Sequence, residues 1–117
     1  MRLNEISYSD GVPVDGYGPG FFRIAGELCE GPQVILPSGP GTWGGYEDLT
    51  AISEAAEDLD VLFVGTGPET AHLPSAFRTA IEDLGVGVEA MASPAACRTY
   101  NILLSEGRRV GLAALPV

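Results

Sequence analysis

The feature that most constrains this chain is a change of period at Glu47. From there apolar residues recur at helical spacing, as Leu49, Ile52, Ala56 and Leu59, with acids on the other face. That pattern is one stripe of an amphipathic helix. Glu47 and Asp48 stand where negative charge favours a helix N-terminus. Asp60-Val61-Leu62-Phe63-Val64 follows, a short apolar run of the kind that strands buried on both faces show. It ends in Gly65-Thr66-Gly67-Pro68. A second helical stripe comes next, Leu73, Phe77, Ala80, Ile81 and Leu84, with Pro74 near its first turn. Gly85 suits its left-handed cap. Val86 to Met91 reads as a strand. Ser93-Pro94 opens a third helix running to Ser105, with Ser93 as N-cap and Pro94 at the first helical position. Gly107 closes it, and Arg109 to Leu115 supplies a last strand. Residues 47–117 therefore read αβαβαβ, which requires a mainly parallel sheet covered by helices.

Residues 1–46 follow different rules. Asp10-Gly11, Pro13, Asp15-Gly16 and Gly18-Pro19-Gly20 form a dense cluster of turn formers. Phe21 to Leu28 alternates weakly as one strand, and Gln33 to Leu36 is a second, joined through the tight connection Glu30-Gly31-Pro32. Ser38 to Gly45 is again rich in Gly and Pro and carries Trp43, which is expected in the core. This half reads as antiparallel strands with long turns. With 117 residues and no linker or repeat, the expectation is one domain, 1–117.

Charge narrows the function. Sixteen acids against six bases, all Arg, give a formal net charge of −10. Such a surface repels phosphate backbones and anionic lipid heads, so nucleic acid is not an expected partner. No window approaches the length of a spanning helix, so direct membrane insertion is not expected either. Arg2 is followed by polar residues rather than an apolar run, so no signal peptide is read. Cys29 and Cys97 are far apart, and His72 is the single His. A structural metal site is therefore not expected, and both thiols are expected free in a reducing compartment.

Two stretches are able to carry chemistry. Gly65-Thr66-Gly67 lies after a strand and before a helix, where open sheets bind ligands and free amides meet anions. It lacks the full dinucleotide pattern, because Pro68, Glu69 and Thr70 follow, and a chain without Lys has no P-loop. It is either a structural turn or a small-ligand cradle. The second stretch holds Glu89, Cys97, Arg98, Tyr100 and Asn101. Cys97, Arg98 and Asn101 share one helix surface by spacing. A thiol near a helix N-terminus beside an Arg would be a stabilised thiolate, while a lone Cys packs as a small buried apolar residue. Nothing places His72 beside Cys97 as a base. Arg98 and Glu89 are expected to pair and tie helix to strand. The Tyr100 ring is expected to pack inward, with its hydroxyl on a polar neighbour. No catalytic residue and no cofactor is assigned.

These residues carry a resemblance. The runs Asp60 to Gly67, Gly87-Val88-Glu89-Ala90-Met91, Ala95-Ala96-Cys97-Arg98-Thr99-Tyr100-Asn101-Ile102-Leu103-Leu104 and Glu106-Gly107-Arg108-Arg109-Val110 resemble the family of mitochondrial respiratory complex I assembly factor three. That family includes an adipogenesis-associated protein and bacterial proteins of unknown function. Gly16-Tyr17-Gly18-Pro19-Gly20-Phe21-Phe22 and Trp43 fit it too. The resemblance implies a three-layer α/β domain: a central mixed sheet, helices on one face and additional antiparallel strands on the other. It also implies a non-catalytic binding or assembly role, with a protein partner in a respiratory or membrane-associated assembly. The compartment would be the bacterial cytoplasm, or the mitochondrion for a eukaryotic chain without its leader. The alternative is a small-molecule-binding protein or small enzyme using the Gly65-Thr66-Gly67 turn and the Glu89, Cys97, Arg98 and Asn101 group.

Overall fold

A computed structural model describes residues 12–117. The signal-peptide reading and the Asp10-Gly11 turn lie outside the described residues. The turn-rich first half builds five short strands: β1 Val14–Gly18, β2 Phe21–Ile24, β3 Glu27–Glu30, β4 Gln33–Leu36 and β5 Gly39–Thr42. Helix α1 is Thr50–Ala55, followed by a 3-10 turn at Ala56–Asp58. Then come β6 Val61–Thr66, α2 Ser75–Asp83, β7 Gly87–Met91, α3 Ser93–Ser105 and β8 Val110–Leu115. The αβαβαβ alternation is present in the expected order.

The strands form a three-stranded sheet, β1-β2-β3, and a five-stranded sheet, β5-β4-β8-β6-β7. β8, β6 and β7 are parallel. β4 runs antiparallel to β8, and β5 antiparallel to β4, so β5 points the same way as β6. The crossovers through α1 and α2 both move toward β7, whereas the crossover through α3 moves back over β6 to β8. Right-handed connections in opposite directions place their helices on opposite faces. Hence α1 and α2 cover one face, with Ile52, Ala55, Phe77 and Ile81 against Leu62, Val64 and Val88. The antiparallel sheet covers the other, and α3 lies there beside it: Val14, Phe22, Ile24, Ala96, Cys97, Tyr100 and Leu104 pack on Ile35, Phe63, Leu112 and Ala114. The three layers are as expected, and the one helix on the strand side follows from the strand order.

Several local readings need correction. Phe21 to Leu28 is a hairpin, β2 and β3, turning at Ala25 and Gly26 with φ of 54° and 78°. Two successive positive φ values make the two-residue turn whose twist matches antiparallel strands. The turn formers before Phe21 do not exclude a strand: β1 pairs with β2, with a bulge between Val14 and Gly16. β5 likewise forms within the Gly/Pro-rich stretch. Helix α1 starts at Thr50, because Asp48 accepts the Gly44 amide at 2.9 Å and the Thr50 amide at 3.3 Å, which fixes the approach. Leu59 is extended and buried, and Leu84 is 39% exposed rather than on the α2 stripe. Trp43 is buried as expected, edge-on to Tyr46 at 5.6 Å and tilted to Phe77 at 6.0 Å, with its Nε1 donating to the Asp48 carbonyl.

Candidate functional site

The parallel strands β6, β7 and β8 end together, and the loops after β6 and β7 leave toward opposite faces. That is the switch-point geometry at which open sheets bind ligands. Gly65 and Thr66 belong to β6 itself, so the turn begins at Gly67, whose φ is +98°. Ser93 is 1% exposed and fills the crevice. Its amide donates to the Gly67 carbonyl at 2.7 Å, and its hydroxyl accepts the Gly67 amide at 2.9 Å while donating to the Leu115 carbonyl. Ser93 is therefore not the N-cap; α3 starts after Ala92, with no side-chain cap. The hydroxyl joins the ends of β6 and β8 instead, and satisfying two buried backbone groups outweighs capping an accessible amide. Gly65 makes room for this: a Cβ there would stand 2.6 Å from Ser93 Oγ and 2.9 Å from Ser93 Cα.

The two threonine hydroxyls at this edge are also engaged. Thr66 Oγ1 donates to the Glu69 carbonyl at 2.6 Å and accepts the Ala71 amide at 3.1 Å. Thr70 Oγ1 accepts the Ala92 amide at 3.2 Å. The amides of Gly67, Ala71, Ala92 and Ser93 are thus engaged in tying the strand ends together.

Helix α3 carries the second group, whose members face different ways. Cys97 is 3% exposed, and burial pushes its thiol up to about 11. Desolvation of the charged form overrides any help from the helix N-terminus or Arg98, so of the two readings the small buried residue holds and the thiol is neutral. Both cysteines are free, Cys29 being half-buried. Tyr100 is buried with its hydroxyl donating to the Val12 carbonyl at 2.8 Å, as expected, and burial raises its pKa. Asn101 donates to the Val14 carbonyl at 2.8 Å and accepts the Val14 amide at 2.9 Å. One amide side chain thereby takes the place of a neighbouring strand for β1.

Glu89 and Arg98 are both exposed and form no ion pair among the described residues. Glu89 belongs to edge strand β7, whereas Arg98 borders a hollow of about 280 Å³ between α3 and β1, with Tyr17, Cys97, Asn101 and Ile102. The spacing that put Cys97, Arg98 and Asn101 on one surface is realised there. Tyr17 and Ile102, 46% and 52% exposed, flank Arg98 and were not among the residues singled out from sequence. Their signal was an apolar residue out of phase with its buried stripe. Among the described residues, no group of three His, Cys, Asp or Glu side chains is placed to hold a metal, and no helix is long and apolar enough to cross a membrane.

Residues 14–115 match the family model described as "Protein of unknown function (DUF498/DUF598)". This chain belongs to that family. It is 45% identical over 117 residues to an uncharacterized protein of Rhodobacter capsulatus, covering all of this chain and 94% of that one. It is 34% identical over 123 residues to NADH dehydrogenase (ubiquinone) 1 alpha subcomplex assembly factor 3 of Homo sapiens, covering 99% of this chain and 67% of the human protein. The family resemblance read from sequence is therefore correct. The fold is also that of a crystal structure described as an outer membrane protein from Bartonella henselae. That chain is 32% identical with a TM-score of 0.85, over 95% of this chain and 99% of the other.

Proposed function

We propose that this family member is a non-catalytic assembly-factor domain of the bacterial cytoplasm, binding a protein partner through the face shared by α3 and β1. The observation that carries this reading is the kinship with proteins named as complex I assembly factors along nearly the whole of this chain. The exposed Tyr17 and Ile102 beside Arg98 support the choice of face: aromatic, aliphatic and Arg side chains are the types enriched in protein interfaces. The engaged amides of the strand ends and the neutral thiol of Cys97 favour this reading over a small-molecule site.

The test is cross-linked affinity capture from the cells that make the protein, with the wild-type chain and Arg98→Gln. One stoichiometric protein partner, lost from Arg98→Gln at unchanged Tm, is the expected result. A bound metabolite in native mass spectrometry with no protein partner would overturn it. So would a loss of capture that only follows a lowered Tm.

A further inference from the structure

Two sheet edges meet on the side of the molecule away from α3. β3 is the outer strand of the small sheet and β5 the outer strand of the large one. Between them runs a groove of about 390 Å³. In an antiparallel ladder, opposed residues alternate between pairs that exchange hydrogen bonds and pairs whose backbone groups point away. The two-residue turn at Ala25-Gly26 makes Ile24 and Glu27 a bonded pair, so Leu28, opposite Arg23, directs its N–H and C=O away from β2. Glu30 has the same phase, and its carbonyl is indeed taken by Gln33 Nε2, at 2.9 Å. On the opposite wall, the two-residue turn Pro37-Ser38 makes Leu36 and Gly39 a bonded pair. Pro40 and Thr42 therefore turn their backbone groups away from β4. Pro40, lacking an N–H, is tolerated because it lies on an edge.

The chemistry of the groove selects an occupant. Glu27 and Glu30 line it, and no basic residue does so among the described residues. Arg23 lies on the outer face of the small sheet, opposite Leu28. Leu28 itself is 52% exposed. Outward main-chain donors and acceptors, the apolar Ile24, Ala25 and Pro40 of the lining and its two acids together fit an extended chain with alternating basic and apolar side chains. We propose that this groove takes an extended basic segment of a protein partner as an added strand. The proposal rests on the protein-binding reading above, and it names the chemistry of a segment bound at a second face.

The test uses the full chain and a synthetic peptide of alternating Arg and Val, with a Glu and Val peptide as control. Saturable binding of the Arg peptide is expected, with slowed hydrogen exchange at the Leu28 and Thr42 amides and affinity falling as salt rises. Glu27→Lys with Glu30→Lys should weaken it about tenfold or more at unchanged Tm, as loss of charge complementarity requires. Leu28→Pro removes the outward donor at an edge position and should weaken it independently of charge. Absence of saturable binding, or binding indifferent to both variants, would overturn the proposal. Protection of Leu28 that grows with protein concentration alone would overturn it too, assigning the edge to a second copy of this chain. Because Arg98→Gln leaves the groove intact, capture sensitive to Arg98 but not to Glu27 and Glu30 would reject the groove while sustaining the assembly reading.

Discussion

The Cys97 thiol and the Gly65 hydrogen each answer to one packed neighbourhood. Cys97 holds its proton up to about pH 11, against about 9 for a free thiol. Between these values the unfolded chain releases a proton that the folded chain keeps. The unfolded state then binds fewer protons, so stability falls as pH rises, and the loss is complete above the folded value. A shift of this size corresponds to ~2–3 kcal/mol. Urea unfolding at pH 8 and pH 11 should show that loss in the wild type and much less of it in Cys97→Ala; Tyr100 contributes to both chains and cancels. Equal pH dependence in the two chains would refute the account. At Gly65 the added methyl of Gly65→Ala meets both the Ser93 hydroxyl, at 2.6 Å, and the Ser93 backbone Cα, at 2.9 Å, and that hydroxyl is held by two backbone groups. Overpacking of this kind costs ~1–3 kcal/mol, readable as a lower urea midpoint with unchanged slope. A wild-type midpoint would show that α3 can retreat from β6 without cost.

At the scale of elements, α3 holds the small sheet to the large one. Its buried stripe of Ala96, Cys97, Tyr100 and Leu104 packs on β6 and β8, while Tyr100 and Asn101 reach sideways to Val12 and Val14. Asn101→Ala leaves both Val14 backbone groups without partners in a residue that is 7% exposed. Unsatisfied buried groups cost ~1–3 kcal/mol each at most. The expected signature is local: Phe22 and Cys29 amides, paired across β2 and β3, exchange faster than in the wild type, while Leu62 and Phe63 amides in β6 stay protected. Uniform acceleration in both sheets would mean that the small sheet does not open separately.

For the whole molecule, an acidic surface meets two kinds of exposed feature. Ion pairs among the described residues include Arg78 with Glu82 and Arg109 with Asp60, both at the surface, where such pairs add little to stability. Most of the net charge of −10 is left to act as a field that attracts basic partners and repels nucleic acid. The Arg98 face is a local exception to that field, and the β3–β5 groove follows it. The two proposed faces lie at opposite ends of the small sheet, at β1 and at β3.

The alternation of period from Glu47 onward determined the order of helices and strands by itself, because each buried face must repeat at the geometry of its own element. The left-handed caps at Gly85 and Gly107, both with φ of +82°, were legible for a similarly local reason: only glycine takes that conformation without cost. The Ala25-Gly26 hairpin was not legible, since Ala carries no signal for positive φ and only pairing of β2 with β3 holds it there. The side of the sheet taken by α3 was decided by strand order, a long-range property. The fate of the candidate residues was tertiary as well. Ser93 looked like a cap, and Gly65-Thr66-Gly67 read as either a structural turn or a cradle, because a sequence shows which amides are free locally and not which distant groups come to satisfy them. Cys97 allowed two readings, a thiol activated by its neighbours in the chain or a buried apolar residue, and burial against β6 and β8 selects the second, since desolvation depends on what packs across the fold.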